Sequence, residues 1–157
     1  MHIDGPIPSS SAHCERILRT LPGWFGIEES LLEYVRDSER FPTFVAMDSE
    51  PVAFLTIREH FLRTWEIHCM AVQDTHRGRG IGRQMHEHVE QWLIERGVRL
   101  LQVKTLADTH PSLEYAETRQ FYASVGYLPL EVFPTLWGAG LPVLQLVKPL
   151  KARKNAA

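Results

Sequence analysis

The segment Arg77-Gly78-Arg79-Gly80-Ile81-Gly82-Arg83 decides the fold, because it joins a predicted strand to a long predicted helix. Apolar residues recur at helical spacing from this segment onward, at Met85, Val89, Trp92 and Leu93. The first turn of a helix has unpaired N–H groups and the positive end of the helix dipole, which suits a phosphate. Glycines let the main chain approach an anion, and arginines add charge-assisted hydrogen bonds. The segment therefore predicts a site for a small anion; the alternative is a tight turn with solvated arginines.

Two common nucleotide-binding loops do not fit this segment. A Walker loop requires Gly-Lys-Ser/Thr, which does not follow here. A dinucleotide fingerprint requires a third glycine where Arg83 stands and an acidic residue at the end of the next strand. That predicted strand, Val98–Thr105, contains no acidic residue. Both loops are therefore excluded.

The periodicity of the other segments predicts an α/β fold. A short helix follows Ser9-Ser10-Ser11 and ends at Pro22, and further helices are expected at 28–40, 80–96 and 113–125. Strands are expected at 43–47, 52–58, 65–72, 98–105, 127–133 and 143–147. This order implies a mixed sheet with three antiparallel strands and a parallel crossover from 65–72 to 98–105. Residues 1–8 contain a glycine and two prolines, so we predict no strand before the first helix.

The composition limits the class of protein. The chain has 157 residues, 44% of them hydrophobic, which predicts one domain over 1–157 with a real core. No apolar run approaches about 18 residues, and the N-terminus lacks the features of a signal peptide, so we expect a cytoplasmic protein without a membrane partner. The basic end, 151–157, is expected to fray. No His or Cys spacing suits zinc, and we predict no metal site.

Charge is unevenly distributed along the chain. The net charge is −2, but residues 1–75 carry −6 and residues 76–157 carry +4. No general nucleic-acid footprint is present, so we expect no nucleic-acid partner. The arginines clustered around the glycines suit a small anionic ligand better than a polyanion.

Two motifs resemble the Gcn5-related N-acetyltransferase (GNAT) superfamily. The first is Met70-Ala71-Val72 followed by Arg77-x-x-Gly80-x-Gly82 at the start of a helix. The second is Phe121-Tyr122 a few residues before Gly126-Tyr127. The resemblance spans roughly 43–149. It implies a GNAT-like sheet of six to seven mostly antiparallel strands, with a central parallel crossover and helices on both faces.

The resemblance also implies acetyl-CoA as the cofactor. Backbone groups of Met70, Ala71 and Val72 would pair with its pantetheine arm. The backbone amides of the segment from Arg77 to Arg83, including Gly78, Arg79, Gly80, Ile81 and Gly82, would hold its pyrophosphate. Many members have an asparagine seven residues before the conserved tyrosine, where this chain has Tyr115.

Three residues are candidates for the proton transfers of acetyl transfer. Glu66 and His68 both lie on the strand before Val72, and either could take the proton of the amine. The alternatives are a solvated glutamate paired with an arginine and a hydrogen-bonded strand histidine. Regular alternation would place both residues on the side of Met70 and Val72. The resemblance implies that the hydroxyl of Tyr122 donates to the leaving sulfur; otherwise that tyrosine packs a helix face.

Two loops are expected to wall the acceptor site. One carries Trp24 and Phe25, and the other carries Trp137, each beside glycine and proline. They predict an aromatic pocket for a small amine, with cation–π contact as one means of binding, and ordinary anchoring of the loops as the alternative. The leading hypothesis is an N-acetyltransferase that acts on a small-molecule amine by direct attack in a ternary complex. Acetylation of a protein lysine or N-terminus, and an inactive acyl-CoA-binding module, remain alternatives; whether the protein is a homodimer stays open.

Overall fold

The computed structural model describes residues 1–152, so the predicted fraying of 153–157 lies outside the described residues. The elements in chain order are β1 (His2–Asp4), α1 (Ser11–Leu18), α2 (Glu28–Arg40), β2 (Thr43–Asp48), β3 (Glu50–Phe61), β4 (Thr64–Val72), α3 (Ile81–Glu95), β5 (Leu100–Leu106), α4 (Leu113–Ser124), β6 (Leu128–Phe133) and β7 (Val143–Pro149). A short 3₁₀ turn, Asp74–His76, leads from β4 toward α3.

The strands form a seven-stranded sheet in the order β1-β2-β3-β4-β5-β7-β6. Its neighbouring pairs are antiparallel except β4 and β5, which run parallel through the crossover that contains α3. The predicted mixed, mostly antiparallel sheet is therefore confirmed.

Helices cover both faces of the sheet. On one face, α3 inserts Met85, Val89 and Leu93 into a core that also contains Phe44 and Leu101. On the other face, apolar residues of α1 and α2 pack on the sheet beside Phe54, Cys69 and Ala71. The helices α1, α2 and α3 each bury one apolar stripe, as their sequence period requires.

The prediction that no strand precedes the first helix is wrong. His2, Ile3 and Asp4 pair antiparallel with Met47, Ala46 and Val45 of β2. Three residues before Gly5 are enough for this ladder, and the strand lies at the edge of the sheet, where short strands are common. Ile3 also packs against the core. The glycine and prolines end the strand rather than prevent it.

The first helix differs from its prediction in two details. It ends at Leu18 rather than at Pro22. Ser10 occupies the N-cap position, but its hydroxyl makes no capping bond. It donates instead to the carbonyl oxygen of Ser38 at 2.8 Å, which ties the start of α1 to the end of α2.

The regular alternation expected along β4 is broken by a β-bulge. Thr56 of β3 pairs with Cys69 and the next residue, Ile57, pairs with Ile67, so His68 has no partner in the ladder. Met70 packs with the core on the α3 face, whereas His68 contacts residues of α2. The expectation that Glu66 and His68 share a side with Met70 and Val72 is therefore wrong, because the extra residue reverses the alternation.

Candidate active site

The two parallel strands separate at the bulge and open the sheet. Thr64–Ile67 of β4 pairs with Leu100–Val103 of β5, but both strands continue beyond this ladder without pairing to each other. The opening forms a cleft of about 350 Å³, here called the central cleft. Its wall includes Cys69–Val72 of β4, Thr105 of β5 and Tyr122 of α4. Backbone groups on the edge of β4 that faces the opening are thus available to a ligand.

The glycine loop, residues 77–83, borders the same cleft. Gly78 and Gly80 have φ of +76° and +78°, which side chains disfavour, and no atom of the described chain lies within 4 Å of a Cβ built at either position. Gly80 is the N-cap of α3, so the N–H groups of the following turn are exposed at the loop. The loop therefore offers main-chain donors and open space to an anion.

The predicted loop residues do not all reach the cleft. Arg77, Gly78, Gly80, Ile81, Gly82 and Arg83 line it, together with Met70, Ala71 and Val72. Arg79 is exposed and is not among the described residues that line the cleft. Its guanidinium would therefore act on an anion bound in the cleft only through its charge, without direct contact.

Arg77 connects the glycine loop to the opposite wall. Its guanidinium donates to Oε2 of Glu117 on α4 at 2.8 Å and lies 4.2 Å from the centroid of the Trp24 ring. One face of Trp24 is thus occupied by this arginine, so that face is not available for the predicted cation–π contact with an acceptor. The indole of Trp24 also donates to the Glu114 carbonyl oxygen and to Thr118 Oγ1, each at 3.0 Å. The tryptophan thereby fixes the α1–α2 loop to α4.

Tyr115, at the position of the family's asparagine, has a role in this loop. Its hydroxyl donates to the carbonyl oxygen of Trp24 at 3.1 Å. It also lines the central cleft. The tyrosine therefore supports the α1–α2 loop through a contact that no sequence pattern predicted.

Tyr122 lies in the wall of the central cleft with 4% of its surface exposed. Its ring is in edge contact with Phe121 and Tyr127, both with centroids 5.2 Å away. Burial raises the pKa of the phenol above its ordinary value. The hydroxyl therefore stays protonated near neutral pH and can act as a hydrogen-bond donor.

Glu66 is a buried carboxylate with two basic partners. Lys104 Nζ donates to Oε2 at 2.7 Å, and His60 Nε2 lies 2.9 Å from Oε1. Burial by itself would raise the pKa of Glu66, but the hydrogen bonds and charges of Lys104 and His60 outweigh it and lower the pKa. The carboxylate is therefore held ionised with both oxygens engaged, which makes it a weak proton acceptor.

His68 is held at the bulge by a carboxylate from α2. Its Nε2 lies 2.8 Å from Oδ2 of Asp37, a residue with 7% of its surface exposed. The ring is also in edge contact with Tyr34 and Phe41, at centroid distances of 5.6 and 5.4 Å. Because an ionised carboxylate only accepts, this contact selects, for a neutral imidazole, the tautomer with the proton on Nε2 and the lone pair on Nδ1. The contact fixes an imidazole that can accept a proton.

A second cavity of about 320 Å³, here called the side cavity, adjoins the central cleft. Both are lined by Tyr34, Ile67, His68, Lys104 and Trp137, and the side cavity adds Arg58, Glu66 and Leu136. Trp137, from one predicted aromatic loop, lines both cavities. Trp24 and Phe25, from the other, line the central cleft. The structure thus brings the catalytic candidates and the aromatic residues around one continuous space.

Sequence reasoning missed Asp37, Lys104 and Arg58. A signal existed for Asp37, because it lies three residues after Tyr34 and therefore on the same side of α2. A signal also existed for Lys104, since it alternates with the apolar residues of β5. The bulge left no signal in the sequence.

Among residues 1–152, no group of three or more His, Cys, Asp or Glu side chains is arranged to hold a metal ion. In that same part of the chain, no helix combines the length and the apolar character needed to cross a membrane.

A helix terminus with available main-chain N–H groups, beside a sheet opened between two parallel strands, is the arrangement expected of an acyltransferase that uses a phosphorylated thioester carrier. The family model "Acetyltransferase (GNAT) family" matches residues 13–127, so the chain belongs to this family. It is an acetyltransferase, and its acetyl donor is acetyl-CoA. The open space at Gly78 and Gly80 and the unpaired edges of β4 and β5 fit this donor.

Solved structures share the fold at low sequence identity. A GNAT-family protein from Desulfovibrio desulfuricans has a TM-score of 0.83 at 16% identity, with 96% of this chain and 99% of that chain covered. An aminoglycoside 6′-N-acetyltransferase complexed with coenzyme A has a TM-score of 0.74 at 21% identity, covering 99% and 100%. The ribosomal-protein-S18-alanine N-acetyltransferase from Escherichia coli has a TM-score of 0.74 at 20% identity, covering 99% and 98%. No curated protein sequence matched the chain.

Proposed function

We propose that the protein transfers the acetyl group of acetyl-CoA directly to the amine of a small molecule while both substrates are bound. The observation that carries this proposal is the shared wall of the central cleft and the side cavity. Five residues line both spaces, and His68 is one of them. A donor in the cleft and an acceptor in the cavity would therefore meet at His68, without a covalent enzyme intermediate.

The donor would be held mainly by the main chain. Backbone groups of Met70, Ala71 and Val72 would bind the pantetheine amides, as an added strand binds a sheet edge. The N–H groups of the glycine loop, from Arg77 to Arg83, would bind the diphosphate, with Arg77 and Arg83 adding charge. When bound, acetyl-CoA supplies a thioester whose carbonyl carbon an amine can attack.

His68 is the base in this proposal. Its Nδ1 would accept the proton of the amine, while Asp37 fixes the ring and stabilises the imidazolium. Glu66 would act on the acceptor side through its charge and its bonds to Lys104 and His60, rather than by accepting the proton.

Tyr122 would donate a hydrogen bond to the sulfur as it leaves. Its hydroxyl is kept protonated by burial, and its ring is fixed by Phe121 and Tyr127. Trp24, Phe25 and Trp137 would exclude water and contact the acceptor.

Free thiol released from acetyl-CoA in the presence of single amines tests the proposal. Amine-dependent thiol release with small amines is expected. Release only with peptide N-termini or lysine peptides would favour a protein acetyltransferase. Saturable acetyl-CoA binding by calorimetry, without thiol release on a broad panel of amines and peptides, would indicate a binding module and overturn the proposal.

A further inference from the structure

The side cavity carries more positive than negative charge. Its lining includes two permanent cations, Arg58 and Lys104, and one carboxylate, Glu66. The carboxylate is already paired with Lys104 and His60. The net negative charge of residues 1–75 therefore does not indicate the charge of the side cavity. Arg58, Lys104 and Glu66 together give the lining a net charge of +1, so a polycationic acceptor would be disfavoured there.

The two cations retain hydrogen-bond donors for a ligand. The ammonium of Lys104 donates to Glu66 and, at 3.2 Å, to Gln102, which leaves one of its three N–H groups. The guanidinium of Arg58 stacks on Phe41 at 5.2 Å from the ring centroid, and within the described residues it forms no ion pair. The carboxylate of Asp37 on α2 is bound to His68 and Arg40.

The polar groups are held in place by a network on the sheet. Gln145 of β7 donates to Gln102 of β5 at 2.8 Å, and Gln102 in turn accepts from Lys104. Lys104 is half-buried, and its position on β5 is fixed by a ladder with β7. Both cations line the side cavity, and an ammonium and a guanidinium in one cavity are groups that typically bind a carboxylate.

The rest of the wall is apolar. Tyr34, Leu136 and Trp137 also line the side cavity. His68 lies at its junction with the central cleft. One space therefore offers a proton acceptor for an amine, cations for a carboxylate and aromatic surface for a side chain.

We infer that the acceptor is an α-amino acid with an apolar or aromatic side chain, whose carboxylate binds Arg58 and Lys104. This inference rests on the proposed small-molecule N-acetyltransferase activity and deepens it. The bond that forms joins the amine nitrogen to the acetyl carbon, and the bond that breaks is the thioester C–S bond. The amine proton goes to His68, and the thiolate leaves with a hydrogen bond from the Tyr122 hydroxyl. The thiolate then takes a proton from water, to which His68 returns the proton it accepted, so both residues are regenerated. The products are an N-acetyl amino acid and coenzyme A.

Four acceptors test the inference on the unaltered protein by thiol release: phenylalanine, phenylalaninamide, 2-phenylethylamine and kanamycin. The first three differ mainly at the carboxylate, and phenylalaninamide imitates a peptide N-terminus. We expect kcat/KM for phenylalanine to exceed that of the other three at least about tenfold, the gain typical of a charge-assisted hydrogen bond.

Two variants with the same charge change test whether Arg58 causes the preference for phenylalanine. Arg58→Gln is expected to reduce the preference for phenylalanine over 2-phenylethylamine about tenfold or more. Arg63→Gln makes the same charge change at an exposed position outside both cavities, and it should leave the preference unchanged.

The failures are distinguishable. Equal rates for the four acceptors, a preference for kanamycin, or a preference unaffected by Arg58→Gln would overturn the amino-acid inference while leaving N-acetyltransferase activity established. Thiol release with none of these or other amines would overturn the proposed function and the inference with it.

Discussion

The guanidinium carbon of Arg77 lies 4.2 Å from the centroid of the Trp24 ring. Arg77 belongs to the glycine loop, and Trp24 belongs to the loop between α1 and α2, so these two walls of the central cleft are in contact through this pair. The same arginine is bound to Glu117 of α4. A diphosphate at the glycine loop would compete with Glu117 for the guanidinium and would change the support of Trp24.

Arg77→Ala is therefore expected to weaken the binding of both substrates, but to different extents. Loss of a charge-assisted hydrogen bond to the diphosphate should raise the KM for acetyl-CoA about tenfold or more. Loss of the stacking partner of Trp24 should raise the acceptor KM by a smaller factor. Arg79→Ala removes an equal charge from the same loop, but its side chain does not line the cleft, so a change under about twofold is expected. Steady-state kinetics in each substrate measures both; equal effects of the two variants would contradict the assignment.

Two tyrosine hydroxyls that lie close in the core should have separate effects. Tyr122→Phe keeps the packed ring but removes the donor to the sulfur, so kcat should fall about a hundredfold with little change in either KM. Tyr127→Phe removes a hydroxyl bonded to His86 at 2.9 Å and leaves a buried partner unpaired. We expect that variant to lose about 1–3 kcal/mol of unfolding free energy and to keep its kcat. Chemical denaturation and kinetics on both proteins check this; a full kcat in Tyr122→Phe would remove that residue from the mechanism.

The choice between the two candidate bases can be made with two amide variants. His68→Gln should lower kcat at least a hundredfold, because the proton acceptor is lost. Glu66→Gln should lower kcat less than about tenfold, since its oxygens serve Lys104 and His60. Asp37→Asn should show part of the loss of His68→Gln, with the KM for acetyl-CoA unchanged. The opposite ranking of His68 and Glu66 would assign the base to the carboxylate.

His86 should make the stability depend on pH. Burial, followed by the charges of Lys148 and Arg83, lowers the pKa of His86 from 6.5 to about 4. The unfolded state then binds a proton that the folded state does not, so the unfolding free energy decreases as the pH falls from about 6.5 to about 4. The full loss is about 3 kcal/mol.

His86→Gln can still bond to Tyr127 but does not titrate, so its unfolding free energy should change less over this interval. Urea unfolding of both proteins at pH 7 and pH 5 gives the comparison. Parallel losses in the two proteins would assign the pH dependence to other groups.

The elements that the sequence predicted well are those with strong local signals. The helix at Glu28–Arg40 matches its predicted bounds, because apolar spacing and flanking residues agree there. The turn at Gly80 and the strands around it were likewise predictable from glycines and apolar runs. The resemblance carried by the two family motifs then implied acetyl-CoA as the cofactor and Tyr122 as a hydrogen-bond donor.

The remaining features depend on contacts between distant segments. β1 is stabilised by its partner strand and not by its own composition. Asp37 meets His68 across 31 positions of the chain, and Lys104 meets Glu66 across 38. Such pairs have no local period. The charge around the side cavity also depends on which residues the fold assembles, and not on the count of acidic residues in one half of the chain.

The bulge at His68 has a consequence for protein engineering. It adds one residue to β4 while the side chains on either side of it keep their faces, so removing that residue would leave Glu66 and Met70 facing as they do now. Without the bend, the hydrogen-bond ladder with β5 could continue past Ile67. In this shortened variant, β4 and β5 would then pair along their full length. The protein would keep a stable fold, but the sheet would have no opening for a thioester.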